Sequence, residues 1–138
     1  MASRRKARIY AMQALFSWDI SCTPAEELLE FSWVDRQGDR EDTLAFARML
    51  LAGTLEHVDE VDAAVQAHLE HWKLERLARV DLAILRLSAY SLLFQPDIPA
   101  SVTIDEAVDL AREFGSDESY RFVNGVLDAV RRDARRDA

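Results

Sequence analysis

The sequence predicts an all-α fold, a compact bundle of about seven helices, and three observations carry that prediction. Apolar residues recur at three- and four-residue intervals through most of the chain, the spacing that gathers them on one helical face. Only four Gly and three Pro occur in 138 residues, so the turn residues that a sheet needs are scarce. The composition is skewed toward Ala, Leu, Val and Arg, and all but Val are strong helix formers. With 49% hydrophobic residues, the chain is long enough to bury one sizeable core and too short for a binding domain plus an ordinary catalytic domain. Residues 1–138 therefore read as one domain.

Ser3 reads as the N-cap of a first helix running to about Ile20. On it Arg5, Ile9, Met12 and Phe16 form one stripe, and Ala7, Ala11, Ala14, Leu15 and Trp18 form a second on the other side. A helix apolar on two faces is buried on one and covered on the other by protein or ligand. Pro24, followed by Glu26 and Glu27, opens a short helix to about Phe31, and DRQGDR at 35–40 forms a loop. A helical segment then runs from about Arg40 through Ala67, as one helix or two, weakly interrupted at Gly53. The string LARVDLAILRLSAYSLLF at 77–94 is the most hydrophobic helix and the expected centre of the core, closed by Gln95, Pro96 and Pro99. Thr103-Ile104-Asp105-Glu106 matches a capping box opening a helix to Phe114, which Gly115 stops. Ser116 or Asp117 caps the last helix, where Phe122, Val123, Val126 and Val130 share a face.

A net charge of -8 opposes nucleic-acid binding unless the positive charges are gathered in one place. They are gathered: residues 1–8 carry Arg4, Arg5, Lys6 and Arg8 with no acid, and 131–138 carry four Arg against Asp133 and Asp137. The stretch between, 9–130, is left at -14. Basic ends on an acidic middle give separate faces to separate partners, or else are solvated ends. Cations in the first turns of a helix oppose its dipole, at roughly 0.3 to 1 kcal/mol each, so helix stability does not account for their position.

Little in the sequence suggests catalysis. Cys22 is the lone cysteine, without an internal disulfide partner and without the context of a nucleophile. No stretch resembles a signal peptide or a membrane span, and the expected setting is reducing and cytoplasmic. His68 and His71 would need further ligands to hold a metal and read instead as solvent-facing. The pairs Asp105-Glu106 and Asp117-Glu118 fall where helix N-termini favour negative charge. No Gly-rich phosphate loop occurs. No enzyme activity, metal or cofactor is expected.

The ingredients of a single-strand RNA site are present. Cations neutralise phosphates and aromatic rings offer platforms for unpaired bases, at about 1 to 3 kcal/mol per base. Arg4, Arg5, Lys6 and Arg8 with Phe16 supply both on the first helix, and Arg121-Phe122 supplies both on the last. Each Phe, taken alone, also suits a core.

Three strings then point further. RRKARIYAMQALFSWDI, LLAGTLEHVDEVD and ARVDLAILRLSAYSLLFQPDIPASVTIDEAVDLAREFGSDESYRFVNGVLDAV, in this order, resemble the NusB family of bacterial transcription antitermination factors over nearly the whole chain. The most specific pieces are R-x-x-A-x-Q-A-L-F-S-W, I-L-R-L, I-P-x-x-V-x-I-D-E-A and F-V-N-G-V-L-D; the segment from Ser21 to Asp42 carries no such signature. The resemblance implies two packed helical subdomains divided near residues 70–76, and no catalytic activity. It implies RNA binding at the boxA element of ribosomal RNA transcripts, together with NusE, a small-subunit ribosomal protein, within an RNA polymerase antitermination complex. RNA-contacting positions of the family match Arg4, Arg5, Lys6, Arg8, Gln13, Phe16, Arg121 and Phe122, with Phe16 where many relatives have Tyr. Glu75 and Asp81 match acidic positions that face the basic ribosomal partner. Family members occur as monomers and as homodimers, so a homodimer is compatible with the sequence. Similar helical domains also precede the catalytic part of certain ribosomal RNA cytosine methyltransferases, which need an α/β cofactor domain and a catalytic cysteine downstream, whereas this sequence runs to Ala138. A bundle that binds only protein is the third reading, and salt-sensitive RNA binding would remove it.

Overall fold

The computed structural model describes residues 3–34 and 41–136 and is organised around the segment that the sequence marks as most apolar. Every residue from Asp81 to Ser91 is buried. They belong to α5 (Arg79–Phe94), and a helix that is hydrophobic all round must be covered all round. α1 (Arg4–Ser21), α3 (Glu41–Glu56), α4 (Val58–Gln66), α6 (Ala100–Phe114) and α7 (Ser119–Arg136) all pack on it, while α2 (Ala25–Leu28) is a single turn resting on α1. Every regular element among the described residues is helical, and none is long and apolar enough to cross a membrane.

Of the two stripes on α1, the small one is buried. Ala7, Ala11, Ala14 and Leu15 are fully enclosed, and side chains this short let α1 lie close to both α3 and α5. Ser3 caps the helix as expected, its Oγ accepting from the Lys6 N–H at 3.2 Å, and its own N–H donates to Thr43 Oγ1 of α3 at 2.9 Å. The N-terminal turn is thereby fixed to the bundle.

Two arginines of α5 join the helices through polar contacts. Arg86 donates through Nε and Nη2 to both carboxylate oxygens of Asp62 on α4, at 2.9 and 3.0 Å. It also approaches Asp19 of α1 at 3.8 Å and lies over the Trp18 ring at 5.3 Å. Arg79 bonds Asp19 at 3.0 Å and caps the carbonyls of Leu74, Glu75 and Leu77. It thus holds the 3-10 turn Leu74–Arg76, which links α4 to α5, against the start of α5.

Several boundaries differ from the sequence expectation. The segment from 41 to 66 is two helices, and it breaks at His57 (φ -109°, ψ 21°) rather than at Gly53. Gly53 lies inside α3, and Tyr90 of α5 is so close to it that a Cβ there would sit 2.1 Å from the phenol oxygen, which leaves room for glycine alone. His57 instead stacks on Phe94 at 4.0 Å. The expected loop at 35–40 and the expected start at Arg40 lie outside the described residues.

The capping box at Thr103 is a second correction. α6 begins a turn earlier, at Ala100, because the Pro99 carbonyl already accepts from the Val102 and Thr103 N–H groups. Thr103 is consequently buried inside the helix, and Asp105 and Glu106 lie beyond its first turn. Gly115 does end α6, but in extended backbone (φ -94°, ψ -169°). Among the described residues, the left-handed ones are Cys22, which closes α1, and Phe31. α7 starts at Ser119, whose Oγ accepts from the Ser116 N–H at 2.9 Å.

Overpacking a close helix contact costs about 1 to 3 kcal/mol. Gly53→Ala should therefore lower the melting temperature clearly, although Ala is the better helix former. A Gly53→Ala, Tyr90→Leu double variant should lose less than the two single losses added together. Strict additivity in that double-mutant cycle would show that Tyr90 is not what excludes a side chain at 53.

Candidate nucleic-acid interface

Successive residues of a helix point about a hundred degrees apart, so the cations at 4, 5, 6 and 8 fan around the first turns of α1 and meet different surroundings. Arg4 and Arg8, four residues apart, share the side facing α3. The Arg4 guanidinium lies 3.9 Å from the Phe46 ring centroid and that of Arg8 lies 5.7 Å from it. Arg4 is exposed, whereas Arg8 is only 7% exposed. Burial lowers the Arg8 pKa, an effect that the Glu106 carboxylate opposes and Arg4 reinforces. An arginine keeps its charge under such a shift. Arg8 is thus a charge fixed inside the helix junction more than a reaching side chain.

Arg5 turns toward α6 and meets a row of carboxylates there, Glu106 at 3.6 Å, Asp109 at 3.5 Å and Glu113 at 3.0 Å. These three positions follow helical spacing, which explains how one guanidinium reaches them all. A phosphate approaching Arg5 competes with anions of the chain itself. Lys6 is exposed.

Two turns further along, α1 presents its second stripe. Met12, Gln13, Phe16 and Ser17 line a groove of about 330 Å³ completed by Trp33, Val80 and Phe114. Phe16, Trp33 and Phe114 are all exposed there. The Trp33 indole N–H donates to Gln13 Oε1 at 3.1 Å. Trp33 and Phe114 were not among the residues singled out from sequence. Trp33 lies in a stretch without periodicity, and Phe114 reads simply as the end of a helix.

The second expected aromatic site is elsewhere. Phe122 is half-buried against the core and borders a groove of about 470 Å³ together with Trp72, His68 and His71. Arg121 beside it is exposed; its Nε donates to Tyr120 Oη at 2.9 Å and Glu118 lies 3.7 Å away. Phe16 and Phe122 therefore line two grooves and not one.

The two partner positions differ sharply. Glu75 is exposed in the 3-10 turn. Asp81 is 8% exposed, in the first turn of α5, and its Oδ1 is buried without a hydrogen-bond partner. An acidic residue presented outward to a partner is not what the structure shows at 81, because the apolar helix that carries it is covered on every side. His68 is likewise not solvent-facing: its Nε2 lies 2.7 Å from Asp133 of α7. His71 is exposed, and no group of three metal-ligating side chains occurs among the described residues. Of the C-terminal arginines, Arg131 and Arg132 both bond Asp128, and these hydrogen bonds, that from Arg132 foremost, hold its carboxyl below the usual carboxylate range.

Residues 5–132 match the sequence model of the NusB family. The transcription antitermination protein NusB of Treponema pallidum is 55% identical over 132 residues, covering 95% of this chain and 94% of that protein. Among solved structures, T. maritima NusB aligns with a TM-score of 0.86 at 35% identity, over 96% of this chain and 94% of that one. A chain in a crystal structure of the antitermination factors NusB and NusE in complex with dsRNA aligns with a TM-score of 0.85 at 27% identity, over 94% of this chain and 96% of that one.

The burial of Asp81 generates a test on the chain alone. Asp81→Asn keeps the shape and removes a buried, incompletely paired charge, so its melting temperature should equal or exceed that of the parent. Asp81→Lys places a longer cation in the same enclosed position and should cost about 1 to 3 kcal/mol. Equal melting temperatures for the parent and the lysine variant would mean that position 81 is open to solvent.

Proposed function

The chain belongs to the NusB family, and we propose that it acts as a transcription antitermination factor, a non-enzymatic adapter that holds boxA-type single-stranded RNA together with NusE. The observation that carries the RNA and NusE part of this reading is the alignment, over almost the whole length of both chains, with a chain of a complex of NusB and NusE with dsRNA; the preference for a single strand rests on the exposed aromatic grooves. Cations fanned around the start of α1 supply the positive edge such a ligand requires, on a chain whose remainder is acidic. The two grooves bordered by Phe16 and by Phe122 supply apolar surfaces for unstacked bases. The acidic body suits a basic ribosomal protein, with Glu75 as the outward contact and Asp81 acting from beneath the surface. Action within an RNA polymerase antitermination complex in the cytoplasm and two helical subdomains meeting near residues 70–76 belong to the same reading, which is compatible with a monomer and with a homodimer.

Each RNA contact follows from electrostatics and stacking. A phosphate near Arg4 releases counterions, while one near Arg5 must displace Glu106, Asp109 or Glu113. Arg121, exposed beside Phe122, can pair with a phosphate while the ring receives the adjoining base. No step in this reading makes or breaks a covalent bond.

Titration of the chain with a boxA-like strand, a scrambled strand and a duplex, each with and without NusE, tests the proposal. Preference for the boxA-like strand, strengthened by NusE and weakened by salt, is the expected result. Equal weak binding to all three, or none, would refute it. Arg4→Ala should lower the log-log salt slope by about 0.7, the value of one phosphate contact on a single strand. Arg5→Ala should lower it less, because that charge is already offset, and Glu113→Gln should raise RNA affinity by removing one of the three carboxylates that hold Arg5. Phe122→Ala should cost about 1 to 3 kcal/mol of binding with little change in slope. Thermal melts must accompany that variant, since truncating a buried Phe costs a fold about 3 to 5 kcal/mol. RNA affinity intact in a folded but destabilised Phe122→Ala would confine Phe122 to the core.

A further inference from the structure

We infer that Trp33 is a specificity-determining residue for RNA. With Phe16 and Phe114 it forms a receptacle for a single unstacked base, and it fixes the Gln13 amide so that this base is read by N–H donors. The inference rests on the proposed RNA-binding function and deepens it.

Three observations converge on Trp33. An indole N–H can only donate, so the 3.1 Å bond to Gln13 Oε1 determines which way that amide faces. It leaves Nε2, with two N–H donors, for whatever enters the groove that Gln13 lines. Next, the backbone that presents Trp33 is strained. Phe31, two residues before, has φ 50°, a conformation that costs a bulky L-residue of the order of 1 to 3 kcal/mol and tends to be held at ligand clamps. The Phe31 ring is fully buried and meets the Trp33 ring at 5.1 Å, tilted by 45°. Phe31 thus acts as the anchor and Trp33 as the projecting plate, 44% exposed. Finally, the groove and the positive edge are carried by the same helix. Phe16 lies on the same stripe of α1 as Arg5, eleven residues on, or roughly 16 Å along the axis at 1.5 Å per residue.

Flat apolar walls, a pair of amide donors and cations up the same helix match a nucleobase whose strand continues along α1. A purely apolar side chain would use the walls but leave the Gln13 donors unmatched, whereas a base offers a flat face and an edge acceptor together. A base entering here offers an acceptor to Nε2, such as a pyrimidine O2 or a guanine O6.

The test is a cycle between protein and RNA. The full chain, its Trp33→Ala variant and its Trp33→Phe variant are titrated with a boxA-like strand and with strands carrying one abasic position each, with and without NusE. For the parent, one abasic position should cost about five- to a hundred-fold in affinity, the range of one stacked base. Trp33→Ala should lose a similar factor on the intact strand and be indifferent to that same abasic position. Trp33→Phe keeps a ring but not the donor, so it should retain most of the affinity while discriminating less among bases at that position. Melting curves accompany each titration and affinities are compared among folded molecules, because Trp33→Ala also removes the ring contact with Phe31 and the bond to Gln13. Equal sensitivity of parent and Trp33→Ala to every abasic position would overturn the inference. So would a Trp33→Ala variant that loses NusE while binding RNA alone normally, which would give the groove to the protein partner. A parent chain that binds no strand at all would bring down the proposed function together with it. A parent that binds, with Trp33 indifferent, removes this inference alone.

Discussion

The all-round burial of α5 is the constraint on which the rest of the molecule depends. An element with no solvent face has to be enclosed, and five other helices take their positions by enclosing it. Apolar contact alone is non-directional. Arg86 and Arg79 add direction, because a guanidinium that bonds Asp62 in two places while approaching Asp19 allows few relative orientations of α1, α4 and α5. Breaking such a partly buried pair from one side leaves a charge without its partner, a costlier change than replacing the whole cluster by apolar groups.

Placing α1 in this way divides its surface by function. The alanine face is taken up by α3 and α5, so Arg5 and Phe16, at the two ends of the opposite stripe, are left at the rim of the bundle while Met12 between them is buried. The cations at its start are neutralised to different degrees. Arg8 is enclosed, Arg4 rests on an aromatic face and Arg5 is held by the acids of α6. An acidic protein can thus carry a nucleic-acid edge without a single strongly positive patch. The same carboxylates that compete with phosphate at Arg5 also keep the edge ordered before a ligand arrives, which reduces the entropy lost on binding.

The two acids matched to the protein partner illustrate how a residue's place in the fold limits its role. Glu75 is on a short exposed turn and can meet a basic surface directly. Asp81, in the first turn of a covered element, can contribute only through its field or after a local rearrangement, and its Oδ1 is buried without a hydrogen-bond partner.

Periodicity, composition and the order of its motifs established the helical class, the central place of residues 77–94, the Ser3 cap and the clustering of cations at the N-terminus, because each is a local property of the chain. Helix boundaries were legible only in part. The reason position 53 holds a glycine inside a helix is Tyr90, thirty-seven residues away, and the Thr103 capping box yielded to a proline one turn earlier. Site residues were legible as residue types but not as environments. Nothing near Arg5 in sequence announces the carboxylates at 106, 109 and 113, and nothing near Asp81 announces its burial. Trp33 and Gln13 are twenty residues apart and meet through a bond that no periodicity encodes. The sequence by itself determined which faces are apolar and which end is basic, since side-chain chemistry and helical spacing suffice for that. Only the tertiary structure decided which charges remain available to a ligand and where a groove opens, because both depend on contacts between segments distant in the chain, whose free energies arise only once the helices have packed.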